Sequence, residues 1–192
     1  MKIKKPIADI HKGLDITKRV AATKQKDPLL TVVLIDLAEP TNKGIISSMV
    51  YGFYTPKRRL ILGNLVNAVW VKIDNKSCNV EILSYGKYSS KGIKQITDFG
   101  GQDAFPQSPL DLDHVSFGTD DILHLLLNHP VSKKLAIDEL GDIKLSLKIY
   151  KNKPVWIVQQ EVPNVGYRGM IISAHDGDIV SEKTDWLYGN EK

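Results

Sequence analysis

The feature of this sequence that most constrains its fold is an order of elements that occurs twice, a helix followed by strands. In the second half, a leucine-rich helix is predicted to begin at Thr119. It is followed by DIKLSLKIY, in which apolar and polar side chains alternate without exception, the pattern of a half-buried strand. In the first half, a helix capped by Asp15 and ending at Pro28 is likewise followed by strands. We therefore predict a duplicated unit.

The predicted fold class is α+β, built from two tandem α-β-β-β units with the helices packed on one face of antiparallel sheet. The first unit covers residues 14–85 and the second covers residues 119–183. Residues 86–118 between them are rich in Gly, Ser, Pro and Asp and are predicted to form a linker or crossover. The sequence leaves open whether the two units share one continuous sheet and form a single compact domain.

Composition narrows the class of protein. The chain has 192 residues, of which 42% are hydrophobic and 25% charged, as in ordinary globular proteins. The single cysteine, Cys78, excludes an internal disulfide and a multi-cysteine metal site. No segment approaches the ~20 apolar residues of a membrane span, and no export signal is evident. As written, the chain is expected to be cytoplasmic, or periplasmic or extracellular if a leader has been removed.

The second unit resembles the PepSY-like domains, in which a helix precedes a short antiparallel sheet. The resemblance rests on residues 119–183, from the leucine-rich helix through the IKLSLKI strand and the PVWIV strand to the hairpin IISAHDGDIVSE. The residues that match the closing pattern of the family are Asp176, Gly177, Ile179 and Val180. The resemblance implies a bacterial domain that binds or restrains another protein, often a peptidase, or that serves as an envelope component, and it implies no catalytic residue.

No arrangement of residues in the sequence predicts catalysis, a cofactor or a metal site. A histidine with nearby carboxylates could hold a metal or move a proton, but this group falls in a predicted tight turn, where adjacent side chains diverge. Its members are Ser173, His175, Asp176 and Asp178. His124 and His129 are five residues apart, whereas two ligands on one helical face are four apart. Asp111, Asp113 and His114 lie in the predicted linker, where solvation is the default.

We predict a non-catalytic, inhibitor-like or regulatory protein-binding module, because four aromatic side chains could anchor a partner through an exposed strand, sheet face or loop. These candidate residues are Tyr54, Tyr150, Trp156 and Trp186.

The alternative hypothesis is a binder of nucleic acid or another anionic surface. Residues 1–96 contain 17 basic and 7 acidic residues, whereas residues 97–192 contain 9 and 15, so the two halves have opposite net charge. The basic residues that would bind phosphate are Lys2, Lys4, Lys5, Lys12, Lys18, Arg19, Lys57, Arg58 and Arg59. The acidic second half disfavours this hypothesis.

Overall fold

Eight antiparallel strands form one sheet in the computed structural model, which describes residues 1–39, 43–56, 65–89, 109–130, 141–162 and 166–186. The strand order is β4-β3-β2-β1-β5-β6-β7-β8, so β1 and β5 are neighbours at the centre. The strands are β1 (Leu29–Leu37), β2 (Ile46–Pro56), β3 (Leu65–Asp74), β4 (Asn79–Ser89), β5 (Asp142–Tyr150), β6 (Lys153–Val162), β7 (Gly166–Ser173) and β8 (Ile179–Trp186).

The predicted fold class is wrong. Instead of two tandem α-β-β-β units of an α+β protein, each half contributes four strands to a single sheet that dominates the described structure. The halves join where β1 pairs with β5, with Val33 opposite Leu147. The physical reason is that β1, LLTVVLIDL, is too apolar to serve as a sheet edge, where its unpaired amides and side chains would face water.

Two α-helices are present in the described part of the chain. Helix α1 (Ile10–Ala22) begins earlier than predicted, because Asp9 and not Asp15 caps it, and the Asp9 carboxylate accepts from the amides of His11 and Lys12 at 2.8 and 3.2 Å. Helix α2 (Thr119–Asn128) begins at the predicted residue. Its cap is Gly118, whose amide donates to the Asp121 carboxylate at 2.8 Å. Neither helix is long and apolar enough to cross a bilayer.

Both helices pack on the same face of the sheet, and the core lies between them and the strands. The buried face of α1 is formed by Gly13, Thr17 and Ala21, and that of α2 by Ile122, Leu123 and Leu126. Alternate strand residues complete this core, namely Val33, Ile35, Met49, Tyr51, Phe53, Val69, Val71, Ile73, Leu145, Leu147, Trp156, Val158, Met170 and Ile172. We call the opposite side of the sheet the open face.

The predicted linker, residues 86–118, divides into three parts. Its first residues belong to β4, and residues 90–108 lie outside the described residues. From Pro109 the chain runs past the start of β1, where the Leu110 amide donates to the Leu30 carbonyl at 2.8 Å. A short 3-10 turn (Leu112–His114) and α2 follow. The end of the linker is therefore attached to the central strand.

Candidate functional site

A cleft of about 600 Å³ opens between α1 and residues 109–113, which we call the α1 cleft. Its volume lies in the range of ~300–1,000 Å³ that is usual for ligand sites. One wall is the exposed side of α1, and the other is the segment that Leu110 attaches to β1. One wall is thus held by helical hydrogen bonds, and the other by a backbone hydrogen bond to β1.

The floor of the α1 cleft is apolar. Phe53 and Leu30 are register partners on β2 and β1, so both side chains point toward α1, and they are only 1% and 5% exposed. Leu110 and Leu112 are also buried, while Leu14 and Leu29 are half-buried. The floor therefore offers contact to an apolar group without a polar partner.

The rim of the α1 cleft is charged. On α1, His11, Asp15 and Lys18 follow each other at helical spacing, and all three are exposed. Asp111 and Asp113 stand on the opposite wall. Three carboxylates and one lysine make the rim net negative, although the whole chain is net positive. A cationic group is therefore attracted to this cleft.

A histidine and a carboxylate lie close together beside the rim of the cleft. His114 Nδ1 lies 3.1 Å from Asp111 Oδ2, but both side chains are well exposed, and the Asp111 carboxylate also accepts from the Asp113 amide as the cap of the 3-10 turn. Among the described residues, no group of three or more His, Cys, Asp or Glu could hold a metal ion.

The predicted aromatic anchors whose side chains the structure describes do not lie in the α1 cleft. Tyr54 and Tyr150 are half-buried. They lie near the ends of β2 and β5, and the strand register places their side chains on the open face. Burial raises the pKa of Tyr54, and the Nζ atom of Lys151 lies 5.2 Å from the centre of the Tyr150 ring. Trp186 ends β8, and its side chain lies outside the described residues.

Trp156 faces the core instead. Its side chain is completely buried, and its Nε1 donates to the Phe117 carbonyl just before α2 at 2.6 Å. Tyr51 has the corresponding role beneath α1, since its hydroxyl donates to the Ile10 carbonyl at 2.8 Å. Each aromatic donor thus fixes the start of one helix on the sheet, and in this conformation neither ring is available to a partner.

The polar group around His175 forms the predicted turn between β7 and β8. Gly177 has a φ of +80°, which confirms the prediction that a glycine provides the positive φ. The Asp178 amide donates to Asp176 Oδ1, and a hydrogen bond from the Ser173 side chain is the main cause that lowers the pKa of Asp176. These residues serve the turn. His124 and His129 have separate partners: His124 contacts Asn128, and His129 contacts Glu182 at 3.2 Å.

The predicted basic surface is present in part. The residues of this set that are described are all exposed, and they lie in the N-terminal segment and on α1: Lys2, Lys4, Lys5, Lys12, Lys18 and Arg19. Lys12 lies 4.0 Å from the Asp9 carboxylate. Residues 57–59 lie outside the described residues.

A buried arginine was not anticipated from the sequence. Arg168 on β7 is 1% exposed, and its Nε donates to Gln160 Oε1 on β6 at 3.1 Å. Desolvation lowers the pKa of Arg168, and the nearby Glu182 carboxylate opposes that effect.

The apolar floor of the α1 cleft was also not predicted from the sequence, although the spacing of His11, Asp15 and Lys18 on one side of a helix could have indicated one wall of the cleft.

Comparisons with known proteins bear on the fold. No family model matches the chain, and no curated protein matches it. The crystal structure of a presumed lipoprotein from Clostridium difficile 630 is similar over 96% of both chains, with a TM-score of 0.54 and 11% sequence identity. A 12:0-ACP thioesterase from Umbellularia californica aligns over 94% of this chain and 89% of its own, with 8% identity and a TM-score of only 0.27. The first likeness indicates a shared fold, and the second supports no conclusion.

Proposed function

We propose that this chain is a non-catalytic module that binds another protein by holding a short segment of it in the α1 cleft. The observation that carries the proposal is the combination of an apolar floor with an acidic rim in a cleft of about 600 Å³. The resemblance to PepSY-like domains implies the same class of function, with a peptidase or an envelope component as the partner. Binding such a segment would restrain the partner, as an inhibitor or regulator does.

The size of the α1 cleft sets the length of the bound segment. The wall from His11 to Lys18 covers eight residues of helix, so seven steps of about 1.5 Å give a length of roughly 10 Å. An extended peptide rises about 3.3 Å per residue, so about three residues fit along the wall. One apolar side chain would enter the floor between Leu14 and Phe53, and its neighbours would reach the rim.

The charge of the rim selects the neighbours of that apolar residue. Asp15 on one wall and Asp113 on the other are both exposed, so a lysine or arginine beside the apolar residue would lie near a carboxylate. Because these charges are solvated, each contributes little to affinity, about 0–1 kcal/mol, and the attraction weakens with salt. The apolar contact therefore supplies most of the affinity, and the rim supplies selectivity.

The first test compares three short peptides of equal length by fluorescence anisotropy with the full chain. One contains a central leucine flanked by lysines, the second has glutamates in place of the lysines, and the third has serine in place of the leucine. We expect the lysine–leucine peptide to bind at least tenfold more tightly than either of the others, a difference of about 1.4 kcal/mol. Equal affinity for all three peptides would argue against the cleft as a selective site.

Matched variants locate the binding. The double variant Asp15→Lys and Asp113→Lys reverses the rim, and both side chains are exposed, so folding should be unaffected. Glu39→Lys makes one such reversal at an exposed position beyond the end of β1 that is opposite the cleft, and serves as the control. The rim variant should lose the preference for lysine over glutamate while the control keeps it. If both variants bind the peptides as the parent chain does, the α1 cleft is not the site.

A second candidate function follows from the exposed cations on the N-terminal segment and α1. These residues, named above, could bind an anionic surface without base or side-chain specificity. Binding to a polyanion such as heparin or to vesicles of anionic lipid should then fall steeply between low and high salt. A substitution of Lys4 and Lys5 by glutamine should weaken it further. Retention that does not depend on salt would contradict this alternative.

A further inference from the structure

A second depression lies on the open face near the β8 edge, and we call it the Gly169 groove. Its volume is about 310 Å³, and its lining comes from the N-terminal end of β5, the C-terminal end of β6 and the start of β7. The lining residues are Asp142, Lys144, Gln159, Gln160, Glu161, Tyr167, Arg168 and Gly169. The groove does not share a residue with the α1 cleft.

The strand register arranges the polar residues of this groove in two rows. In one row Lys144 is opposite Gln159, which is opposite Gly169. In the next row Asp142 is opposite Glu161, which is opposite Tyr167. Neighbouring strands are about 4.8 Å apart, and residues two positions apart share a face, so these side chains surround one small area.

Gly169 forms the floor of the groove. A Cβ atom added there would find the Lys183 carbonyl oxygen at 4.0 Å as its nearest neighbour, so the space above this residue is empty. The absence of a side chain in a sheet whose neighbours are long and polar produces the depression. A ligand can thus approach the backbone of β7 directly.

Tyr167 forms one side of the groove, beside this floor. The residue is 55% exposed, and its register partner on the neighbouring strand is Glu161. The ring is two positions from Gly169 on the same face. An exposed aromatic ring next to an empty floor offers a flat surface for stacking.

We infer that the Gly169 groove binds a neutral saccharide. Asp142 and Glu161 lie beside Lys144 on this face, while the buried Arg168 is on the helix side of the sheet, so the lining carries both signs of charge and only a small net charge. The lining has no aliphatic side chain for a purely apolar ligand, but it offers hydrogen-bond donors and acceptors on several sides. A sugar ring matches this chemistry, because its C–H face stacks on an aromatic ring while its hydroxyls pair with carboxylate, amide and ammonium groups.

The test uses the full chain labelled with ¹⁵N and titrated with a panel of neutral trisaccharides: maltotriose, cellotriose, mannotriose and chitotriose. A trimer of galacturonic acid is the charged comparison. We expect at least one neutral sugar to shift the amide signals of Gln159, Tyr167 and Gly169 with millimolar affinity, and the charged trimer to bind at least tenfold more weakly. No shift at these amides with any panel member at about 10 mM would overturn the inference.

Three variants distinguish stacking from a nonspecific effect. Tyr167→Ala removes the ring and should weaken binding at least tenfold, whereas Tyr167→Phe keeps the ring and should retain most of the affinity. Gly169→Leu fills the empty floor and should abolish binding, with a thermal melt to verify the fold. If Tyr167→Ala and Gly169→Leu leave the shifts unchanged, or if the shifts map to the α1 cleft, the groove is not a sugar site.

Discussion

Gly13→Ala should destabilise this protein even though alanine is the better helix former. Gly13 lies on the buried side of α1, where an added Cβ would overlap the Tyr51 hydroxyl and lie 2.8 Å from Tyr51 Cζ. Tyr51 is fully buried and donates to the Ile10 carbonyl, so its ring has no free space into which it can move. The overlap of an added Cβ with Tyr51 thus opposes the stability that alanine would gain through its higher helix propensity.

The sizes of these opposing effects decide whether Gly13→Ala stabilises or destabilises the chain. Replacing glycine by alanine inside a helix gains about 1 kcal/mol. Forcing an extra carbon into a packed core costs about 1–3 kcal/mol, and displacing the tyrosine breaks a hydrogen bond and leaves buried polar atoms unpaired, at a further cost of about 1–3 kcal/mol. Taking the middle of each range, the free energy of unfolding should therefore fall by about 3 kcal/mol, which lowers the melting temperature by about 6–12 °C for a chain of this length.

Urea unfolding followed by circular dichroism measures this change, and a double-mutant cycle assigns its cause. In the Tyr51→Phe background the hydroxyl is absent, so Gly13→Ala should cost about 1–2 kcal/mol less than in the parent chain. The reasoning is refuted if Gly13→Ala is as stable as the parent, or if its cost is the same with and without the Tyr51 hydroxyl.

Three further predictions follow from hydrogen bonds and backbone geometry. Trp156→Phe should lower the free energy of unfolding by about 1–2 kcal/mol more than Trp70→Phe, because Trp156 Nε1 is hydrogen-bonded and that of Trp70 has no partner among the described residues; equal losses in urea titrations would contradict this. The backbone hydrogen bond from the Lys12 amide is the main cause that lowers the pKa of Asp9. The ionised Asp9 carboxylate therefore stabilises the folded chain above the unfolded pKa of 3.8, and this stabilisation is lost as the pH falls through the lower folded pKa. The melting temperature of the parent should therefore exceed that of Asp9→Asn near neutral pH and approach it in acid, and a constant difference would count against the charge. Gly177→Ala should lower the free energy of unfolding by more than about 1 kcal/mol, because Gly177 has a positive φ and an added Cβ would overlap the Phe117 ring. Gly118→Ala should be tolerated in the same thermal melts, because Gly118 has a negative φ and an added Cβ would lie 3.7 Å from the nearest atom, in the Asp121 carboxylate.

Local patterns in the sequence predicted local structure well. The alternation in DIKLSLKIY corresponds to β5, in which Ile143, Leu145 and Leu147 are buried. The glycine turn after β7 also follows from the sequence, because a positive φ there is a property of a few neighbouring residues. Such features depend on interactions within one strand or turn, which a sequence pattern contains.

The joining of the two halves could not be derived from the same patterns. The pairing of β1 with β5 depends on residues far apart in sequence, such as Val33 and Leu147. The sequence does contain one indication of it: within LLTVVLIDL the adjacent Val32 and Val33 must face opposite sides of the strand, so both sides carry apolar residues. A strand that is apolar on both faces belongs at the centre of a sheet and not at its edge.

The α1 cleft was even less accessible to sequence analysis. The acidic residues Asp111 and Asp113 were noted, but nothing in their spacing places them opposite α1. That position depends on the bond from Leu110 to Leu30 and therefore on the completed sheet. The four aromatic candidates were chosen by residue type, and type alone does not distinguish the half-buried Tyr150 from the fully buried Trp156.

The central position of β1 and β5 has a consequence for folding kinetics and for the use of fragments. The hairpins on either side can form from neighbouring segments, whereas the β1–β5 pairing must wait for two distant segments to meet, which makes it a slow, late step. Until then LLTVVLIDL is an unprotected aggregation-prone edge. A fragment of the first half alone would carry that exposure permanently, and a fragment of the second half alone would expose β5 in the same way. We therefore expect such fragments to associate or precipitate unless the missing half is supplied in trans.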